Sequence, residues 1–444
     1  MDERTKRYAQ ELSQMIRCET VSVMGQTDYT KYTEFQERLK TLFPAIFGVC
    51  KVEIFHGSIL MHWAGEHPEK TPVLFMNHQD VVPASGEWEH APFSGEIIDD
   101  KIWGRGTLDD KGGLWAMLRA ADELAAEGFV PDCDIWFESA CAEEINGNHG
   151  EGADEISQIL EERGIRFAFV LDEGGMIVTE PLPGAKGSYA MIGVGEKGTA
   201  DLRFVAKGRG GHASTPPKDT PLVRLGKFMA ECDENKIFTV EMNPAVAEMF
   251  RRVSAAGMDG MMKRVLGKPD VYKLLLEGVM NRTSPEGAAM LRTTLAFTMA
   301  QGSEGHNVLP QEAWVLGNMR FSHHQGFEDS LEAVRKLAEK YDIETEVITQ
   351  GFPSPVTSYK CLGFRMVEQA VKEIFPGVTP SPYIMNGASD ARFMSRVCDN
   401  CLRFAPFAIS KEQMRSIHGP NENLDLETLA PAVDFYRWLM MHVG

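Results

Sequence analysis

Apolar and polar positions along the chain follow two periods, and the switches between them mark the expected elements. Residues 5–17 and 31–46 repeat apolar positions every three to four residues, which predicts two amphipathic helices. Val73–Asn77 is a short unbroken apolar run, the pattern of a buried strand. Residues 111–127, KGGLWAMLRAADELAAE, return to helical spacing directly after a glycine-rich loop. Strand-like CDIWFESA (133–140) and RFAFVLDEG (166–174) follow. Strand, helix, strand in this rhythm predicts an α/β sheet with parallel strands.

Near residue 188 the character changes. SYAMIGVGEKGTADLRFVAKG alternates like a strand but is broken by glycines, which predicts an antiparallel hairpin. A methionine-rich helical tract over 242–290 follows, then strands at 291–300, 312–322 and 343–349, the last ending at the proline-rich GFPSPV. Helical spacing resumes at 361–375 and closes the chain at 427–442. The expected architecture is α/β: a domain of residues 1–192 and 353–444 with a mostly parallel sheet flanked by helices. An inserted α+β domain over 193–352 interrupts it, with a helical insertion at about 235–290.

Composition narrows the function classes. A formal net charge of -19 argues against sequence-independent nucleic-acid binding, which needs a basic face. The opening MDERTKRYAQELSQMI has no apolar core of a secretion signal, and no window approaches 18 uncharged apolar residues. The expectation is a cytoplasmic protein with neither nucleic acid nor membrane as partner. Among eight cysteines only Cys398-x-x-Cys401 forms a close pair, and without a second pair it reads as two reduced buried thiols. Gly193-Val-Gly195-Glu-Lys-Gly198 fits the dinucleotide fingerprint, but TADLRFVA after it reads as a strand, so no helix N-terminus meets a pyrophosphate.

Candidate chemistry gathers where apolar strands end. In a strand, residues two apart share a face, so His78 and Asp80 point the same way. A carboxylate there can fix the imidazole tautomer while the other ring nitrogen binds a metal. A hydrogen-bonded structural pair would use the same two residues. WGRGTLDDKGG (103–113) places Asp109 and Asp110 in a tight loop, either a ligand site or a solvated turn. ESACAEEINGNHGEG (138–152) leads from a strand into Glu143 and Glu144, a pair able to divide metal binding from proton transfer. FVLDEGG ends a third strand in Asp172, and SIHGPNENLD places His418 before the last helix. Two imidazoles and three carboxylates suit two divalent ions about 3.5–4 Å apart that share one carboxylate. Nitrogen and oxygen donors without thiolate favour zinc, with cobalt and manganese as alternatives.

The stretches NHQDVVP, GRGTLDDKGG, EEINGNHGEGA, LDEGG, GRGGHASTPP, NVLP and HGPNE occur in this order between residues 73 and 423. Through them the chain resembles the aminoacylase, carboxypeptidase G and carboxypeptidase S family of di-zinc metallopeptidases, which includes succinyl-diaminopimelate desuccinylase. It looks most like the carboxypeptidase S branch, by GRGTLDDKGG, by LRTTLAFTMAQGSEGHNVLP and by the helical insertion before the latter.

The resemblance implies that Asp109 bridges two zinc ions, that His78 and Asp172 complete one site, and that Glu144 and His418 complete the other. It implies that Asp80 steadies His78 and that Glu143 is the general base, deprotonating the water between the ions and protonating the departing amine. A cis peptide between Asp109 and Asp110 is implied too. So is a homodimer formed through the inserted lid, with His212 of GGHAS reaching the oxyanion across the dimer. Asn307 and Arg320 would hold the substrate carboxylate, joined by Gly387 and Ser389 of NGASDARF. That last loop departs from the family's Gly-Gly-Thr-Asp, because Ala388 adds a methyl group.

The implied activity is metal-dependent cleavage of an amide, in a peptide or an N-acyl amino acid, next to a free carboxylate. The preferred side chain is not fixed by sequence. The other reading is a non-catalytic descendant that binds metal or peptide; retention of Glu143 with all five ligands and His212 speaks for the enzyme. The methionines of 242–290 fill an irregular core or, alternatively, line an apolar wall for an acyl chain.

Overall fold

The three apolar strands read from the sequence lie side by side in a ten-stranded sheet. The computed structural model describes residues 2–145, 150–234 and 237–444, so Asn146–His149 of the EEINGNHGEGA stretch and the first residues of the 235–290 insertion fall outside it. Val73–Met76 pairs in parallel with Ile135–Ser139 on one side and Val170–Asp172 on the other. Cys401–Arg403 adds a further parallel strand beyond Val170–Asp172. Antiparallel strands Lys51–Phe55 and Ser58–Trp63 extend the sheet at one edge.

All of Val73–Met76 is buried, and its side chains divide with period two between two apolar clusters. Val73 and Phe75 enter the larger cluster, with helices Glu3–Ile16, Lys111–Ala126 and Leu429–His442; Leu74 and Met76 enter the other, with Ala153–Glu162. Each such side chain contributes about 1.5–3 kcal/mol relative to exposure. The strand is apolar throughout because helices cover both faces of the sheet.

Helix boundaries follow local chemistry. Glu3–Ile16 starts at Asp2, whose side chain accepts from the Thr5 amide. The single helix expected over 31–46 is two, Thr30–Leu42 and Pro44–Val49. Proline at 44 forces Phe43 out of the helical region, to φ -126° and ψ 56°.

The expected hairpin near 188–208 is also different. Ser188–Glu196 pairs with Val378–Met385 in the ten-stranded sheet, whereas Gly198–Lys207 is central in a separate antiparallel sheet with Glu312–Phe321, Glu344–Gln350 and Thr294–Gln301. Only Lys197 separates the two strands, too little chain for a reversal, so the backbone runs straight from one sheet into the next. Helices Pro221–Glu234 and Gly326–Lys340 cover one face of the four-stranded sheet through Leu225, Phe228, Leu331 and Val334.

The methionine-rich tract forms Pro244–Gly257, Gly260–Leu266, Lys273–Thr283 and Pro285–Ala289. Its apolar side chains, Met249, Phe250, Val253 and Met280 among them, join the core of the ten-stranded sheet rather than that of the smaller one. Met249, Met258 and Met280 are buried there as packing, while Met261 is 78% exposed.

A small sheet completes the frame. Lys101–Trp103 pairs with Glu96–Ile98 and with Asn423–Asp425, which brings the His418 loop beside the glycine-rich loop of Asp109. Cys398 and Cys401 are buried free thiols. Among the described residues no helix is long and apolar enough to cross a membrane.

Candidate active site

His78, Asp109, Glu144 and His418 meet beyond the C-terminal ends of the interior parallel strands of the ten-stranded sheet. His78 lies two residues past Val73–Met76 and is 2% exposed. Its Nδ1 donates to the Asp80 carbonyl oxygen at 2.9 Å, and its Nε2 to Asp109 Oδ1 at 2.9 Å. The other Asp109 oxygen, Oδ2, lies 3.0 Å from His418 Nε2, which is also 3.0 Å from Glu144 Oε2. One carboxylate thus links the two imidazoles. Donor atoms of His78, Asp109 and Glu144 all lie within 4.8 Å of one another, close enough to share a metal ion.

Asp80 acts differently from the simplest reading of His-x-Asp. The imidazole is held by Asp80's backbone oxygen, with the carboxylate Oδ1 farther off at 3.5 Å. That carboxylate instead accepts from the amides of Glu143 and Glu144 at 3.3 and 3.2 Å. It therefore orients the histidine and anchors the turn that presents both glutamates. Asp172 ends its strand 2% exposed and accepts from the Ala391 amide at 2.7 Å. It interacts electrostatically with His78 but is not in direct contact with it. The peptide joining Asp109 to Asp110 is cis.

Glu422, which no sequence pattern singles out, ties together the loops of Asp109 and His418. Glu422 is fully buried, and its Oε1 accepts from the amides of Gly106, Leu108 and Asp109 at 3.1, 2.8 and 3.2 Å. Its Oε2 pairs with Arg105 at 2.6 Å, and Arg105 also donates to the Gly419 oxygen at 2.9 Å, one residue from His418. Gly113 lets helix Lys111–Ala126 approach: a Cβ there would stand 2.2 Å from Asn77 Oδ1 and 2.3 Å from Asp110 Oδ1. Glu422 stood in a polar run, HGPNENLD, and its partner lies 317 residues earlier; no local pattern connects them.

Protonation in the metal-free state follows from this crowding. Burial would push His78 down, but hydrogen bonds to Asp109 and Asp80 win and raise it well above the ordinary imidazole range. His418 is raised to about 10, first by Asp109 and then by Glu144. Burial pushes Glu143 well up, Glu144 to about 7 and Asp390 to about 8. Glu144 Oε1 and both Asp390 oxygens are buried with no hydrogen-bond partner among the described residues. Packed acidic groups without donors are the environment a cation would satisfy, so the donor set fits divalent metal.

The raised carboxylates set a pH dependence. Between about pH 4 and 8 the folded metal-free chain keeps protons that the unfolded chain has released, so stability falls as pH rises. The unfolding midpoint of chelator-treated protein should drop between pH 5 and 7. A midpoint rising over that interval would contradict the assignment.

His212, Asn307 and Arg320 make no hydrogen bond or ion pair with this cluster among the described residues. His212, in the short strand Gly211–His212 paired with Val308–Leu309, is exposed. Its Nδ1 accepts from the Ser214 amide at 3.1 Å, which leaves Nε2–H available as a donor. Asn307 is exposed next to it, its carbonyl accepting from the Ala213 amide at 2.9 Å. Arg320 on Glu312–Phe321 is half-buried, and its Nε donates to Asn318 Oδ1 at 3.1 Å. Gly387 is exposed with open space where a Cβ would stand. Ser389 is fully buried, and both its amide and its hydroxyl donate to Glu196 Oε2 at 3.1 Å. The Ser389 hydroxyl is thus spent on holding the loop to Glu196, itself paired with buried Arg403 at 3.1 Å.

Residues 74–442 match the profile of Peptidase family M20/M25/M40. Human N-fatty-acyl-amino acid synthase/hydrolase PM20D1 is 30% identical over 413 residues, covering 91% of this chain and 81% of the human one. The Dictyostelium discoideum protein named probable carboxypeptidase S-like 2 is 29% identical over 445 residues, 97% of this chain and 84% of its own. Among solved structures, the M20 family metallo-carboxypeptidase Sso-CP2 from Sulfolobus solfataricus has the same fold, with a TM-score of 0.72 over 99% of each chain at 19% identity.

Proposed function

The chain belongs to peptidase family M20/M25/M40, a family of metal-dependent hydrolases, and from that premise we propose that it cleaves the amide bond of a peptide or N-acyl amino acid beside a free carboxylate. The observation that carries this reading is the Asp109 carboxylate standing between His78 and His418, with Glu144 on His418 and half-buried Glu143 beside them. In this reading His78, Asp109 and Asp172 hold one divalent ion and Asp109, Glu144 and His418 a second, zinc by donor type, with cobalt or manganese as alternatives. When bound, the ions supply Lewis acidity to the attacking water and to the scissile carbonyl.

The chain's own residues do the rest. Glu143 takes the proton of the attacking water and delivers it to the departing amine. A carboxylate beside the attacking water suits a group that must accept a proton and then return it. Asp80 fixes the height of Glu143 through the backbone amide, so base and ligand stay in register. The Nε2–H of His212 donates to the oxyanion. Arg320 presents terminal guanidinium nitrogens to the substrate carboxylate. Names of relatives point both to N-fatty-acyl amino acids and to peptides with a free C-terminus. Gly-Xaa dipeptides, longer peptides and N-acyl amino acids, each assayed with zinc, cobalt and manganese, would test it; no turnover of any with any metal would overturn it.

His212 makes no contact with the metal-ligand cluster in its own chain, which fits action in a homodimer, across the subunit interface. Two inactive variants, His212→Ala and Glu143→Ala, should then recover activity when mixed and re-associated, because one interface pairs an intact histidine with an intact base. If proven subunit exchange restores nothing, His212 does not act in trans.

A further inference from the structure

Four arginines are buried among the described residues: Arg105, Arg119, Arg392 and Arg403. Three have carboxylate partners. Arg105 pairs with Glu422 at 2.6 Å, Arg119 with Glu11 and Asp122 at 2.9 Å each, and Arg403 with Glu196 at 3.1 Å. Arg392 has none. It is 7% exposed, its guanidinium rests 4.7 Å above the Phe393 ring, and among the described residues its side chain meets no hydrogen-bond acceptor and no carboxylate within 4 Å. A buried guanidinium without an acceptor is costly unless something outside the chain supplies the partner.

Its surroundings say which partner. Ala391, the preceding residue, donates its amide to Asp172 at the metal-ligand cluster. Asp390, two residues before, attracts Arg392, and Arg320 on the four-stranded sheet repels it. Phe393 packs edge-on against Phe352, 6.0 Å between ring centres, where the chain returns from that sheet. Arg392 is thus close enough to Asp390 and to Arg320 for electrostatic interaction, and it follows directly the residue whose amide binds Asp172. Two neighbouring guanidiniums with open donors form a fork for an anion, and the substrate's anion in the proposed reaction is its free carboxylate.

We propose that Arg392 is a substrate-binding residue whose guanidinium, together with that of Arg320, receives the free carboxylate of the substrate. The assignment rests on the hydrolase reading above and adds a residue from the large sheet to the grip on that carboxylate. It explains why a cation is buried in NGASDARF beside a serine spent on Glu196: the loop is pinned by Ser389 so that Arg392 is presented.

The test compares wild type, Arg392→Met and Arg392→Lys, all metal-loaded, on glycyl-leucine, N-lauroyl-leucine and their C-terminal amides. Arg392→Met should lower kcat/KM on the free acids by about 10- to 100-fold, mostly through KM, and leave the amides unchanged. Arg392→Lys should fall between, since it keeps the charge but loses the fork. The unfolding midpoint separates binding from structure: removing an unpaired buried charge should leave it unchanged or higher in Arg392→Met, whereas losing a structural tie would lower it. Equal losses on acids and amides, or a lowered midpoint, would overturn the proposal. Should wild type cleave none of these compounds, N-acetyl-leucine still decides: a thermal shift in wild type that Arg392→Met lacks supports the carboxylate site while the hydrolase reading fails, and equal shifts sink the site.

Discussion

Glu143→Gln is expected to lower kcat by roughly 10²–10⁴-fold, the usual loss for a general base, with metal content near that of wild type. Glutamine keeps the shape and the backbone amide that donates to Asp80, so the turn carrying Glu144 stays in place. It cannot accept the proton of the attacking water. Glu144→Gln should behave oppositely, because Glu144 Oε2 lies 3.0 Å from His418 and belongs to the proposed ligand set: metal content should fall along with rate. Metal analysis by mass spectrometry beside steady-state kinetics separates the two. A Glu143→Gln protein that loses metal and keeps its rate would mean the roles are reversed.

Chelation should abolish hydrolysis altogether, and added zinc, cobalt or manganese should restore it. The proposed ligands sit on segments far apart in sequence, so metal should bind the native state far better than the unfolded one. Stabilisation should then be about 4 kcal/mol at a free-metal concentration a thousand times the Kd. Because His418 is held to about 10 and His78 is raised as well, both imidazoles carry protons at neutral pH before metal arrives. Loading metal should release them, which calorimetry in buffers of different ionisation enthalpy would detect as a buffer-dependent heat. Hydrolysis undiminished in rigorously metal-free protein would refute the whole assignment.

The strand ends were legible because a strand buried on both faces has no reason to end in His78, Glu143 or Asp172 unless those groups have a task. The loop of Asp109 was legible through its glycines, and Gly113 shows why: helix, Asn77 and Asp110 converge where no Cβ fits. Lys197 was not legible as a crossing point, since a glycine-broken alternating run reads the same whether its strands pair with each other or with distant partners. The placement of the methionine-rich helices failed to show for a similar reason: periodicity reveals that a helix has an apolar face but not which sheet receives it. The burial of Arg392 and Glu422 was not legible, because burial of a charge is a property of tertiary packing and each stands in a polar stretch that reads as solvated.

The hub at Glu422 has a consequence for how the enzyme is made. Four of the five proposed ligands, together with the base, lie at or before Asp172, but the loop that carries the bridging Asp109 is tied to Glu422, and His418 lies four residues from it. At about 5–20 residues per second of translation, the stretch between residues 172 and 418 takes on the order of 10–50 s to emerge from the ribosome. Throughout that interval the nascent chain holds acidic groups destined for burial, and Arg105 has yet to meet its carboxylate. With His418 as a proposed ligand, hydrolytic competence is expected only after residues 418–422 have emerged and joined the Asp109 loop.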